Sequence, residues 1–216
     1  MNRFGLTFAV PRGGLFDATL DALERIGVDT AEVRTNDRRL LFDDVGIVTM
    51  RPSDVPTYVE AGAADLGITG KDVLMEQRGR QVFELLDLRY GACRMVLASV
   101  AGDPDPAAEA LRRLGVMRVA TKYPRTAAHW FEDTGRQAEI VEVKGSVELA
   151  PLTGLVEAIV DLTATGTTLR ENGLVVREEI AASTARLIAN PVAHKLKAAA
   201  VDEVVEGLRG EAPRGD

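Results

Sequence analysis

MRVATKYPRTAAHWFEDTGRQAEIVEV, residues 117–143, holds two β-branched runs on either side of a helical pattern. MRVATKY reads as a strand, RTAAHWFEDTG as a helix closed by a glycine, and AEIVEV as a second strand. A strand–helix–strand unit of this length is the building block of a parallel sheet. Working outward, the same alternation continues in both directions. Toward the C-terminus come SVELAPLTG (a short helix), AIVDL (a strand), TLRENG (the opening of a helix) and LVVREEI (extended). The last tract, TARLIANPVAHKLKAAAVDEVVEGL, reads as helical, divided at Pro191. Toward the N-terminus lie PDPAAEALRRLG (a helix), CRMVLASV, VFELLDL, ADLGIT, VGIVTM and FGLTFAV (strands), and two further helices. In GLFDATLDALERIG, Phe16, Leu20 and Leu23 fall on one helical face; SDVPTYVEAG is a short helix with Ser53 as its expected N-cap and Pro56 in its first turn.

The expected fold is therefore α/β, with a mixed, largely parallel sheet in each of two lobes. The pattern restarts at Cys93, which places lobe I at residues 1–92 plus 179–216 and lobe II at 93–178. A cleft between lobes is where ligands would be expected. The chain ends in a polar RGEAPRGD tail expected to fray.

Bulk chemistry narrows the function. The 33 acids outnumber the 26 bases, for a net charge of -7, which argues against a general nucleic-acid binder. A polyanionic substrate would then need local bases, a metal ion, or both. One cysteine, Cys93, excludes an intrachain disulfide. Neither a signal peptide nor an apolar run of roughly 20 residues is evident, so a cytoplasmic protein without a membrane span is expected. Aromatic residues make up only 5% of the chain, so aliphatic side chains must build the core.

Three strand exits carry chemistry. DLTATGTTL, residues 161–169, sets hydroxyls around Gly166 where a strand meets a helix. Free amides at a helix start, with the hydroxyls of Thr165, Thr167 and Thr168, suit a phosphate monoester. Asp161 cannot share that phosphate, but suits ribose hydroxyls or magnesium. The pattern equally serves a plain strand–turn–helix connection in which Thr168 only caps the helix. Arg12 in VPRGGL and Arg51 before Pro52 both follow strands, where ligands of parallel sheets gather. GITGKD is not a P-loop, since Asp65 and Asp72 replace the first glycine and the hydroxyl residue, although its glycines leave room for a ligand. His129 and His194 lack metal-ligand spacing, and Cys93 reads as a small core residue.

AVPRGGL, RPSDVPTYVEAGAADLGITGKDVL, RVATKYP, GSVELAPLTGLVEAIVDLTATGTTL and LIANP occur here in one order. Together they resemble the catalytic subunit of the ATP phosphoribosyltransferase family, over nearly the whole chain. The resemblance implies two lobes of the type II periplasmic-binding-protein class. It implies a magnesium-dependent transfer from phosphoribosyl pyrophosphate to N1 of the adenine of ATP, opening histidine biosynthesis. Phosphoribosyl pyrophosphate would then contact Glu148, Asp161, Thr163, Ala164, Thr165, Gly166, Thr167 and Thr168. Arg51 and Arg12 would be catalytic, and ATP would lie against Arg12, Gly13, Gly70 and Asp72; no metal ligands are assigned. The length resembles the family's short form, which implies a separate partner similar to histidyl-tRNA synthetase. Gly14 and Arg12 depart from the family's usual Arg and Lys, Val156 stands where a small residue is usual, and LTAT replaces IVST. A solute- or effector-binding module of the same fold and a nucleobase-salvage phosphoribosyltransferase are the rivals.

Overall fold

The computed structural model describes residues 2–209; of the RGEAPRGD tail expected to fray, Arg209 ends the last helix and 210–216 lie outside the described residues. The chain forms two compact units, one from the stretches up to Ala92 and from Thr184 onward, the other from Cys93–Ser183.

The first unit begins with β1 (Phe8–Pro11), α1 (Phe16–Arg25), α2 (Ala31–Thr35), β2 (Leu41–Phe42) and β3 (Ile47–Met50). It continues with α3 (Val55–Glu60), β4 (Leu66–Gly70), α4 (Lys71–Glu76) and β5 (Phe83–Asp87). The second unit holds β6 (Cys93–Val100), α5 (Pro106–Leu114), β7 (Met117–Thr121), α6 (Pro124–Asp133) and β8 (Ala138–Glu142). After these come α7 (Leu149–Leu152), β9 (Ala158–Thr163), α8 (Thr167–Glu171) and β10 (Leu174–Ser183). The chain then returns to the first unit as β11 (Ala185–Ala189), α9 (Pro191–Leu196) and α10 (Ala198–Arg209).

In the first unit the strand order is β2-β3-β1-β4-β11-β5, and in the second β10-β6-β9-β7-β8. β1 is buried along its whole length because helices cover both faces of its sheet. Phe8 and Val10 pack on one side with Leu20 and Leu23 of α1 and with Val201, Val204 and Leu208 of α10. On the other side Ala9 meets Val55 and Val59 of α3, and Ile188 of β11. In the second unit Val96, Ile159 and Leu169 build the core with Val147, Val156 and Leu174. Asp105 caps α5 by accepting from the Ala107 amide, and Gly115 closes it at φ 75°, where only glycine is unstrained.

Several expectations are corrected. Both sheets are mixed, but among the described residues four strand pairings are parallel (β1–β3, β1–β4, β7–β8, β7–β9) and five antiparallel. The return from the second unit falls at Ser183/Thr184 rather than 178/179, because β10 stays paired with β6 as far as Ser183↔Cys93. The residues before Pro191 are not helical: Ala185–Ala189 is inserted between β4 and β5, antiparallel to both. Pro191 begins α9 instead of dividing a helix, with Asn190 accepting from the Val192 and Ala193 amides. Ser53 does not cap α3; Asp54 precedes it, and the Ser53 hydroxyl donates to Asp54 Oδ1 at 3.3 Å. Cys93 is half-buried rather than in the core.

Close packing of α3 on β4 requires Gly67, where a Cβ would lie 2.6 Å from Val55 Cγ1 and 2.7 Å from Val59 Cγ2. Gly67→Ala should cost about 1–3 kcal/mol by overpacking. A lowered urea midpoint with an unchanged slope would show it; an unmoved midpoint would contradict this packing.

Candidate active site

The candidate residues of the second unit stand at the carboxyl ends of β7 and β9, neighbours in parallel register with Thr121 opposite Val160. That register sets Lys122, the first residue after β7, beside Asp161. Lys122 Nζ is 4.0 Å from Asp161 Oδ2. Asp161 is 7% exposed. Burial pushes its pKa up; the Leu162 amide, donating to Oδ1 at 2.9 Å, and Lys122 oppose the rise, while Glu148 adds to it. Glu148 therefore lies close enough to act on Asp161; it sits half-buried just before α7. Among the described residues no group of three or more His, Cys, Asp or Glu side chains could hold a metal ion.

Beyond Asp161 the chain turns through Gly166, whose φ of 74° places it in the left-handed region that a glycine adopts without strain. Thr163 Oγ1 accepts from the Gly166 amide at 2.7 Å and closes the turn from inside. Thr165 and Thr167 share a hydroxyl–hydroxyl bond of 2.9 Å. Ala164, Thr165, Thr167 and Thr168 are exposed. Arg170 was not anticipated: one of its nitrogens donates to the Thr165 carbonyl at 2.8 Å and another to Thr167 Oγ1 at 3.0 Å. Its spacing of three from Thr167 on a helix was the available signal. Lys122 was missed as well, although it lies inside the quoted RVATKYP stretch. The loop thus gathers three exposed threonines and a guanidinium next to a carboxylate, an arrangement able to hold a phosphate while keeping an acid for hydroxyls.

In the first unit Arg51, Arg12 and Gly70 end three adjacent strands, β3, β1 and β4, which run parallel. Arg51 is exposed and its side chain has no hydrogen-bond or ion-pair partner among the described residues. Arg12 is differently placed. Its guanidinium donates to Thr49 Oγ1 at 3.1 Å, to Asp37 Oδ1 at 3.3 Å, and to the carbonyls of Asn36 and Arg39 at 3.3 and 3.1 Å. It also lies over the Phe16 ring, 5.0 Å from its centre. These contacts brace the 36–39 loop against β1. Gly13, at φ 88°, turns the chain into α1 with open space around it. Asp72 is buried and folds back over Gly70, where a Cβ would come within 2.1 Å of Oδ1. His129 lies on the surface beside Asp133, and His194 packs edge-on against Phe83.

Two mixed-sheet α/β units with loops at the strand ends define the fold class. The substrate binding protein of an amino acid ABC transporter shares it, with a TM-score of 0.58 over 94% of this chain and 91% of that one; at 12% identity the likeness concerns fold alone. A family model described as ATP phosphoribosyltransferase matches residues 51–210. A relative of that name from Rubrobacter xylanophilus is 55% identical over 91% of this chain and 92% of its own. A solved ATP phosphoribosyl transferase (HisG:HisZ) complex from Thermotoga maritima is 35% identical, with a TM-score of 0.78, over 94% of this chain and 96% of that one. The chain belongs to the ATP phosphoribosyltransferase family. Its activity is the family's, the pentosyl transfer that opens histidine biosynthesis, and the binding-module reading is not favoured. Enzymes of this family need a divalent metal ion. No helix among the described residues is long and apolar enough to cross a membrane.

A raised carboxyl pKa has a defined consequence for stability. The folded chain holds the Asp161 proton more tightly than the unfolded chain does, so ionisation disfavours folding. The penalty is absent below the ordinary carboxylate range and complete once pH exceeds the raised folded pKa. Asp161→Asn should therefore melt higher than wild type at neutral pH, with the difference vanishing in acid. A variant that melts lower at neutral pH would show that Asp161 is held by its partners rather than strained by burial.

Proposed function

We propose that the 5-phosphate of phosphoribosyl pyrophosphate docks on the loop formed by Thr163, Ala164, Thr165, Gly166, Thr167 and Thr168, with Asp161 and Glu148 facing the ribose. The observation that carries this reading is the exposed hydroxyl group set, steadied by Arg170, directly after a dry carboxylate. Hydroxyls and amides accept no net charge penalty from the neighbouring acid, whereas a second carboxylate there would repel the ligand. Lys122 adds a cation on the ribose side, where the net charge of -7 would otherwise disfavour a polyanion.

The reaction forms a bond between adenine N1 and ribose C1 and breaks the bond from C1 to the pyrophosphate oxygen. Attack on the face opposite the leaving group inverts C1 through an oxocarbenium-like transition state. Charge develops on the departing pyrophosphate, and a cation aimed there stabilises the transition state more than the ground state. Arg51, exposed and unpartnered, is suited to that role. Arg12 acts with it as the second base of the strand ends, its braced guanidinium shaping the wall on which ATP would lie together with Gly13, Gly70 and Asp72. No general base is required, since the attacking nitrogen carries its own lone pair; holding the two substrates in line supplies much of the acceleration.

Magnesium is the proposed cation. Asp161 and Glu148 are the carboxylates that would hold it, hard oxygen donors of the kind magnesium takes, and it would supply positive charge against the leaving pyrophosphate. A regulatory subunit similar to histidyl-tRNA synthetase is the proposed partner, giving a hetero-oligomer; the related Thermotoga maritima protein was solved as a HisG:HisZ complex. The proposed location is the cytoplasm.

Mixing the protein with ATP, phosphoribosyl pyrophosphate and magnesium should give the ultraviolet difference spectrum of phosphoribosyl-ATP, and a free purine base in place of ATP should give nothing. Turnover of the purine base instead would overturn the reading. Arg51→Ala should lower kcat about 10²–10³-fold with an unchanged melting temperature; near-wild-type turnover would remove Arg51 from the mechanism. Thr168→Val should raise KM for phosphoribosyl pyrophosphate and leave KM for ATP in place. Equal shifts in both would argue against the loop assignment.

A further inference from the structure

A cavity of about 310 Å3 opens in the first unit where α1 and α10 finish beside the residues that follow β5. Its floor is apolar: Leu88, Tyr90 and Leu208 are all buried. Its rim is basic, with the exposed side chains of Arg25, Arg89 and Arg209. Arg209 pairs with Glu206 at 2.6 Å. Arg25 and Arg89 have no side-chain hydrogen bond or ion pair among the described residues. In a chain whose net charge is -7, a three-arginine rim reverses the overall sign locally.

Asp87, the one acid among the described lining residues, is committed chiefly to other partners. Asp87 Oδ1 accepts from the Arg89 amide at 2.9 Å and from the Thr184 hydroxyl at 2.7 Å. Its Oδ2 pairs with Arg186 at 3.1 Å. The bond to the Arg89 amide holds that residue at φ 61°, the one positive φ of a non-glycine among the described residues. A long side chain adopts this conformation at a cost, and such costs persist where the surroundings fix a side chain for use. From that backbone the Arg89 side chain leaves at the cavity rim.

We propose that this cavity is a second anion site, taking a small phosphomonoester whose phosphoryl oxygens bridge Arg25 and Arg89, with Arg209 as a third cation and the organic body on Leu88, Tyr90 and Leu208. Guanidinium forks match phosphoryl oxygens in pairs, and unpartnered guanidiniums need not break an existing ion pair to bind. The volume stands at the lower end of small-molecule sites, which suits a compact ester and exceeds what a bare ion fills. Free phosphate shares the same chemistry, and the test separates the two.

Tungstate, a tetrahedral dianion with a strong anomalous signal, should appear between Arg25 and Arg89 when soaked into crystals of the full chain. Calorimetry with glycerol 3-phosphate and with inorganic phosphate then measures the source. The double variant Arg25→Gln/Arg89→Gly removes both charges while glycine keeps the left-handed backbone. Loss of the tungstate peak and weakening of glycerol 3-phosphate binding by about 100-fold, roughly ten-fold for each contact, is the expected result, with turnover unchanged. Tighter binding of the ester than of free phosphate supports the organic body in the cavity, and the reverse overturns that part. No peak between the two arginines, or equal affinity in the variant, overturns the site.

Discussion

Asp161 lies two residues before the end of β9, ahead of the turn at Gly166, and is kept nearly dry there, 4.0 Å from Lys122 and beside Glu148. Around it the loop is confined to what an acid tolerates: hydroxyls, amides, a glycine and, further out, guanidinium. Gly166 supplies the left-handed turn, Thr163 closes it, and Arg170 ties Thr165 to Thr167. The result is a small polar surface of hydroxyls, amides and a guanidinium next to a carboxylate. A buried carboxylate whose charge is disfavoured costs stability.

The same geometric rule organises the first unit. β3, β1 and β4 run parallel, so Arg51, Arg12 and Gly70 emerge at one edge. The two arginines, alike in sequence position, diverge once built. Arg12 spends its donors on Thr49, Asp37 and two carbonyls of the neighbouring loop, whereas Arg51 keeps its charge uncommitted. A guanidinium that is already satisfied positions backbone; one that is free can meet a developing anion.

The alternation of strands and helices was legible because each period is set locally, by residues such as Phe16, Leu20 and Leu23 on α1 and by the glycine after α5. The Cys93 boundary was legible for the same reason. β11 was not, because Leu187 and Ile188 form a short apolar run that suits a helix or a doubly buried strand equally. Pairing with β4 and β5, more than a hundred residues back, decides between them. Antiparallel pairing of β6 with β9 and β10 was invisible on similar grounds. Within the proposed site, the threonine loop and Asp161 are candidates by residue type alone. Lys122 reaches Asp161 only through the β7–β9 register, and Arg12's engagement depends on a loop some 25 residues away; neither fact is contained in local spacing.

Docking of the sugar phosphate against the loop after Asp161 is open to a crystal structure of the full chain with phosphoribosyl pyrophosphate bound. The account predicts the 5-phosphate against the Thr165, Thr167 and Thr168 hydroxyls, with the ribose hydroxyls turned to Asp161. Phosphate density at another place on the chain, with that loop left bare, would contradict it.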